Sequence, residues 1–335
     1  MKKTKIALMM LMLGNLCFAK DFFVGIAPSY KLENGTIYET RNRESTNSKY
    51  YEIEWQDKLN SKLGFDIFGG WKIIQLDFGM DFAIPKESGE SYYSFWNKKA
   101  DPSYRTDYTK SKNTLASSFD IDTGLKFNIP IEINENIRIN VNPYGRFYYE
   151  LTKYEASDTE STSYAAGGKS SVVSTTVTPG TTMTYNREIF DVTAGLEAGV
   201  TLFERFTINA DVGVSPFSKI NSKNSYNGTL DSMQGCFQKW TFGANFEAEI
   251  WNGFSAGLMG KYILLNKITG DTYDEVNGKY VRTEAYSPET NADRWQIGIF
   301  GKYTFRFGPT YVSEARESKA GDTKVRNGRV KVRQY

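Results

Sequence analysis

The stretch WKIIQLDFGMDFAI, Trp71 to Ile84, carries two interleaved rows of side chains. Leu76, Phe78, Met80, Phe82 and Ile84 form one row, and Gln75, Asp77, Gly79, Asp81 and Ala83 form the other. Side chains alternate across an extended chain, so this is a strand with one apolar face and one polar, partly acidic face. In a soluble sandwich the apolar row would be core. In a transmembrane barrel it would face lipid and the polar row would face the lumen.

The pattern recurs along the chain. Phe119, Ile121, Leu125, Phe127 and Ile129 alternate with Asp120, Asp122, Gly124, Lys126 and Asn128. Phe190, Val192, Ala194, Leu196, Ala198, Val200 and Leu202 alternate with Asp191, Thr193, Gly195, Glu197, Gly199 and Thr201. Ten such strands are predicted, beginning near Phe22 and ending with Trp295–Phe307. Tight turns are expected at Gly69-Gly70, Asn134–Asn136, Phe203-Glu204-Arg205 and Trp251-Asn252-Gly253. Long polar loops are expected at Lys86–Asn113, Ser157–Thr184, Ser218–Gly235 and Asn266–Ala292, the second of them mobile because of its Ser/Thr/Gly composition. Short turns at one end and long loops at the other mark an outer-membrane barrel with its loops outside the cell. The predicted fold is therefore all-β, a ten-stranded antiparallel transmembrane β-barrel with short periplasmic turns and long extracellular loops. Inward positions carry both signs: Asp77, Asp81, Glu197, Asp211 and Glu247 against Lys126, Arg146, Lys261, Lys302 and Arg306. Such pairs would fill a narrow lumen.

The N-terminus agrees with this reading. Lys2, Lys3 and Lys5 precede an apolar run, Ile6 to Leu13, and a small-x-small site at Cys17-Phe18-Ala19, so residues 1–19 read as a secretory signal. Beyond it the chain has one cysteine, Cys236, and so no intramolecular disulfide. A closed sheet is an alternative source of stability for an exported chain. The barrel is assigned to 20–307. Residues 308–335 read as a basic, disordered periplasmic tail. The formal net charge of +2 selects no partner class and gives no reason to expect nucleic acid.

Several motifs resemble the omptins, ten-stranded outer-membrane proteases. They are Tyr51-Glu-Ile-Glu-Trp55, LGFDIFGGW (Leu63–Trp71), Ser94-Phe95-Trp96-Asn97, Arg105-Thr106-Asp107, Asn113-Thr114-Leu115, Phe119-Asp-Ile-Asp122 and Gly301-Lys302-Tyr303-Thr304-Phe305. Ile37-Tyr38-Glu39-Thr40-Arg41 is similar to the family's acidic segment on strand one. The resemblance implies bacterial outer-membrane localisation, contact with outer-membrane lipid, association with lipopolysaccharide and endopeptidase activity. The last requires a water held between a pair of acids and an Asp–His pair. Where the family keeps the first acids, in Asp-x-Asp-Trp, this chain reads Tyr93-Ser94-Phe95-Trp96. Where it keeps the second pair, alignment places Ser222, Asn224 and Tyr226. The chain has no histidine at all. The expectation is that none of the family's catalytic residues is retained, with no metal ligand set and no cofactor.

The candidate cleft therefore comprises Glu39, Tyr93, Phe95, Trp96, Asp107, Asn224 and Tyr226. The aromatic residues Tyr92, Tyr93, Phe95, Trp96, Tyr104 and Tyr108 suit recognition of a peptide, a glycan or a host protein. They equally suit packing of the loop or an interfacial aromatic girdle. A second reading is an active endopeptidase with Glu39 or Asp107 as a non-standard base. A third is a small porin, which ten strands oppose because they leave little lumen beyond side chains.

Overall fold

The computed structural model describes residues 22–96, 105–165, 172–225 and 228–307. The expected signal segment, the basic tail, Tyr104 and Tyr226 lie outside the described residues. The strands are β1 (Phe22–Arg43), β2 (Ser48–Trp71), β3 (Ile74–Ala83), β4 (Lys86–Phe95), β5 (Asp107–Phe127), β6 (Ile129–Asn134) and β7 (Ile137–Tyr164). They continue with β8 (Val172–Leu202), β9 (Phe206–Asn224), β10 (Leu230–Gly235), β11 (Lys239–Trp251), β12 (Phe254–Val276), β13 (Lys279–Thr283) and β14 (Tyr286–Phe307). β3 with β4, β5 with β6, and β10 with β11 each make one broken stave, and β13 folds back on the end of β12. Ten antiparallel staves result, and the ring closes where β1 pairs with β14 from Phe22↔Phe307 to Arg43↔Tyr286.

The alternation does what it predicts. Leu76, Leu258 and Ile299 are 64%, 59% and 57% exposed on the outer wall. Contiguous apolar rows of this kind are unfavourable in water and satisfied by lipid. Inside the same segments, Lys31 reaches Asp81 at 2.7 Å, Lys126 reaches Glu197 at 3.4 Å and Arg146 reaches Asp122 at 3.8 Å. The interior ions thus neutralise one another across the lumen.

Three of the four predicted turns fall at the ends of strands, around Asn134–Asn136, Phe203–Arg205 and Trp251–Gly253. The turn expected at Gly69-Gly70 sits instead at Lys72 and Ile73, with Lys72 at φ 54°. Gly70 stays within β2, paired with Gln75, and a Cβ there would lie 2.4 Å from the carbonyl oxygen of Ile74. The glycine permits close approach of two strands rather than reversal of the chain.

The long polar loops are the larger correction. Most of Lys86–Asn113 is strand, in β4 and the start of β5. Ser157–Thr184, expected to be mobile, contributes the upper parts of β7 and β8, paired from Ala156↔Met183 to Tyr164↔Val172. β9, β10, β12, β13 and β14 likewise extend into the other two loops. The staves continue well above the membrane, and a series of bulges lies between their two halves. Register shifts occur between Leu115 and Ser117 on β5, Val192 and Ala194 on β8, and Leu265 and Ile268 on β12. On β2 the irregularity falls opposite Glu33–Gly35, at Leu59 with φ 52°. One extra residue reverses which side chains face inward. On β2 the buried set is Asn60 and Lys62 below the bulge, and Asp57, Trp55, Ile53 and Tyr51 above it.

Candidate functional site

The upper lumen is packed in layers. Where the staves leave the membrane, five buried charges cross-link opposite walls. The Lys62 ammonium lies 2.9 Å from Asp120 and 3.2 Å from Glu33. The Arg294 guanidinium meets Glu150 in a two-point contact of 3.0 and 2.8 Å. All five residues are at most 5% exposed. Charges withdrawn from water this fully persist only because each has an opposite partner within reach.

Above them the bulge on β2 turns Trp55 inward, where it is fully buried. Its ring packs against both Tyr185, at 4.9 Å, and Tyr154, at 5.6 Å, which also contact each other at 6.2 Å. The Tyr154 hydroxyl donates to the Asp57 carboxylate, 2.9 Å from either oxygen. Ile37, Ile53, Leu115, Ile189 and Ile220 complete an apolar core inside the barrel. This core is the reverse of the membrane half, where the large apolar side chains point outward.

The next layer holds the most reactive groups. The Glu39 carboxylate accepts a hydrogen bond from the Tyr185 hydroxyl and another from Ser222 Oγ, the latter at 3.3 Å. Burial pushes its pKa up to about 7, although both hydrogen bonds and the nearby Arg187 charge pull the other way. Beside it, Arg41 grips Asp231 through Nε and Nη2 at 2.8–3.1 Å. Thr272 Oγ1 donates to the same carboxylate at 2.7 Å, and the Arg41 guanidinium lies 5.1 Å from the Tyr51 ring centroid. The pair spans from β1 to β10 and locks those walls together.

Aromatic rings close over this layer. Tyr93 packs against Tyr51 at 5.3 Å and edge-on against Phe95 at 4.5 Å. Tyr50 stacks on Tyr286 at 4.6 Å and meets Phe95 at 5.7 Å. Arg43 donates to the Trp96 carbonyl, and the Lys49 ammonium lies 5.1 Å from the Trp96 ring centroid. The outermost surface is thus a half-exposed rim of Tyr50, Phe95, Trp96 and Tyr286 with Lys49 beside them, while Arg43 is buried against these rings at 5% exposure.

The structure brings together Glu39 and Tyr93, both buried and facing the upper lumen, with Asn224 on the opposite wall, also buried. Phe95 and Trp96 sit above them at the rim. Asp107 does not join this group. It lies at the top of β5, partly exposed, accepting a hydrogen bond from Ser163 Oγ at 2.7 Å. Tyr93 is a wall residue, only 6% exposed, so the aromatic cluster divides into packed rings below and accessible rings above. Arg41, Tyr51, Trp55, Tyr185, Asp231 and Thr272 were not predicted as site residues. The partners are far apart in sequence, and no local signal links them.

No family model matches the chain, and no curated protein matches it in sequence. Among solved structures it is similar to the outer membrane protease OmpT from Escherichia coli, at a TM-score of 0.69 and 14% identity, covering 86% of this chain and 100% of that one. The translocator domain of the autotransporter NalP from Neisseria meningitidis aligns at a TM-score of 0.32 and 9% identity, over 91% of this chain and 96% of that one. The outer wall, the ring of ten staves and the superposition on OmpT agree: the chain has the fold of a ten-stranded outer-membrane β-barrel.

Proposed function

We propose that this protein resides in the bacterial outer membrane and recognises a ligand at its extracellular rim, without peptide hydrolysis by an Asp–His mechanism and without steady solute conduction. The carrying observation is the filled upper lumen. Tyr51, Trp55 and Tyr185 are at most 2% exposed, and the Arg41–Asp231 pair lies among them. Side chains occupy the space that a conduit or a deep substrate cleft would need. Tyr93 and Phe95 stand where the resemblance calls for a pair of acids, and the chain has no histidine to complete the opposite pair.

What remains accessible is the rim, and its chemistry is aromatic and basic. Rings beside the Lys49 ammonium favour a peptide, a glycan or a host protein carrying acidic or π-rich groups. Purified full-length protein in detergent, titrated against host matrix proteins, acidic peptides and glycans, tests this. The expected result is binding that weakens at least tenfold in Trp96→Ala. Binding unaffected by that change, or no binding across the panel, overturns the rim as a site.

One observation favours a residual peptidase as the second reading. Glu39, with a pKa of about 7, is poised as a base next to a serine hydroxyl. Its 5% exposure counts against substrate access. Cleavage of peptide substrates that disappears in Glu39→Gln would favour this reading over the binding one.

A further inference from the structure

The β7–β8 hairpin has one edge without a neighbouring strand. β5 covers the β7 side of the hairpin up to Asp107↔Ser163. On the other side, β9 pairs with β8 only from Tyr185 downward. Among the described residues, no strand lies beside the outer edge of 172–183. The backbone groups on that edge therefore offer a ready template for another strand.

Exposed edges are ordinarily blunted by charge, proline or bulges. The short β13 strand of this protein follows that rule, with Lys279 and Arg282 in Lys-Tyr-Val-Arg-Thr. The β8 edge departs from it in charge. Val172-Val-Ser-Thr-Thr-Val-Thr178 has no charged residue, in a chain that is 24% charged. Pro179 and Gly180, with φ 79° at the glycine, interrupt the lower end, and a one-residue bulge at Val173, between Ser163↔Ser174 and Tyr164↔Val172, interrupts the upper end. Val172, Val173 and Val177 are 57%, 67% and 67% exposed.

The segment is also self-complementary. Val173-Ser-Thr175-Thr-Val177 reads almost the same in both directions about Thr175. Antiparallel pairing of two copies centred there sets Val173 opposite Val177 in both strands, and Ser174 opposite Thr176. These are favourable cross-strand pairs, with no like charges to oppose them. We infer that this edge is a homotypic contact in which the β8 strands of two copies of the chain pair antiparallel about Thr175.

The geometry fixes where the second copy must be, given the membrane placement proposed above. The two-fold axis relating antiparallel neighbours is perpendicular to their sheet. The hairpin continues the barrel wall upward, so that axis lies in the plane of the membrane. A rotation about it turns the second barrel upside down. Two barrels inserted the same way in one bilayer cannot satisfy it, whereas barrels in two facing membranes can. The contact is therefore an adhesive one between cells, without need of a third component.

Vesicles carrying the full-length protein provide the test, with light scattering as readout. Wild-type vesicles should cluster with no added protein. The double variant Val173→Lys/Val177→Lys should need at least tenfold more protein per vesicle to do so, because it places like charges opposite one another. Retained heat-dependent gel mobility verifies that this variant still forms the barrel. In a Cys236→Ser background, Thr175→Cys should give disulfide-linked dimers between two separately labelled vesicle populations. Trp96→Ala should cluster normally, which separates this contact from the rim. Wild-type vesicles that stay dispersed, clustering undiminished in the double-lysine variant, cross-links confined to copies within one vesicle, or clustering only after addition of another polypeptide would each overturn the inference.

Discussion

The membrane half and the extracellular half of this barrel are built from the same staves with opposite solvents. Below the bulges, Phe78, Leu258 and Ile299 face lipid, and ions face the lumen. Above them, Trp55, Tyr185 and Ile220 face the lumen, and Ser, Thr and charged side chains face water. The lower half resembles a protein turned inside out and the upper half an ordinary soluble one. The boundary between them is where one extra residue on several strands exchanges the two faces.

Breaking the Arg41–Asp231 contact should sharpen this comparison most. Arg41→Ala leaves the Asp231 carboxylate without its counter-ion in a site where the two partners are 3% and 7% exposed. Loss of one partner of such a pair costs about 3–5 kcal/mol. The expected outcome is an upper half open to protease at the β1–β2 and β9–β10 connections while the membrane half stays folded. Limited proteolysis combined with heat-dependent mobility would detect it, and simultaneous loss of both halves would contradict the division.

Next in size are two changes that each address one half. An arginine on the lipid face at Phe78 should cost about 2–4 kcal/mol, the penalty of a cation at bilayer depth, measured by urea titration in lipid vesicles. In the upper half, Glu39 has a folded pKa of about 7 against an ordinary 4.5. An acid whose pKa is raised by folding binds more protons when folded, so stability falls as pH rises from about 4.5 to 7 and is level above. Glu39→Gln should remove this slope, leaving the variant up to about 3 kcal/mol more stable than wild type at pH 8 and little changed at pH 4. Parallel pH–stability curves for the two proteins would contradict the assignment.

The smallest expected effect is a deliberate contrast with Phe78. Val177 is also exposed, at 67%, but to water. Val177→Lys should alter stability by less than about 0.5 kcal/mol, since surface substitutions away from packed features seldom do more. A loss comparable to that of Phe78→Arg would mean that the hairpin lies against lipid.

Much of the membrane half was legible from Trp71–Ile84 and its counterparts. A strand between lipid and a polar lumen must alternate strictly, and alternation is visible in one dimension. The upper half was read as loops for the same reason. Bulges at Leu59, between Leu115 and Ser117 and between Leu265 and Ile268 interrupt the period, and Ser/Thr-rich strands such as 172–178 carry no apolar face to count. Of the expected cleft, Glu39, Tyr93 and Asn224 face the upper lumen and Phe95 and Trp96 the rim, and a motif resemblance had pointed to the segments holding them. Arg41 was passed over because its partner, Asp231, is remote in sequence and reaches it only when the ring closes.

The sequence by itself determined the number of staves, the direction of their lipid-facing rows and the absence of histidine, because these depend on residue identity and local period. Only the tertiary structure decided that the mouth is filled rather than open. That outcome depends on which way each side chain points after a bulge, and on which charges meet across the lumen. Neither is a property of any single stretch, the opening Trp71–Ile84 included.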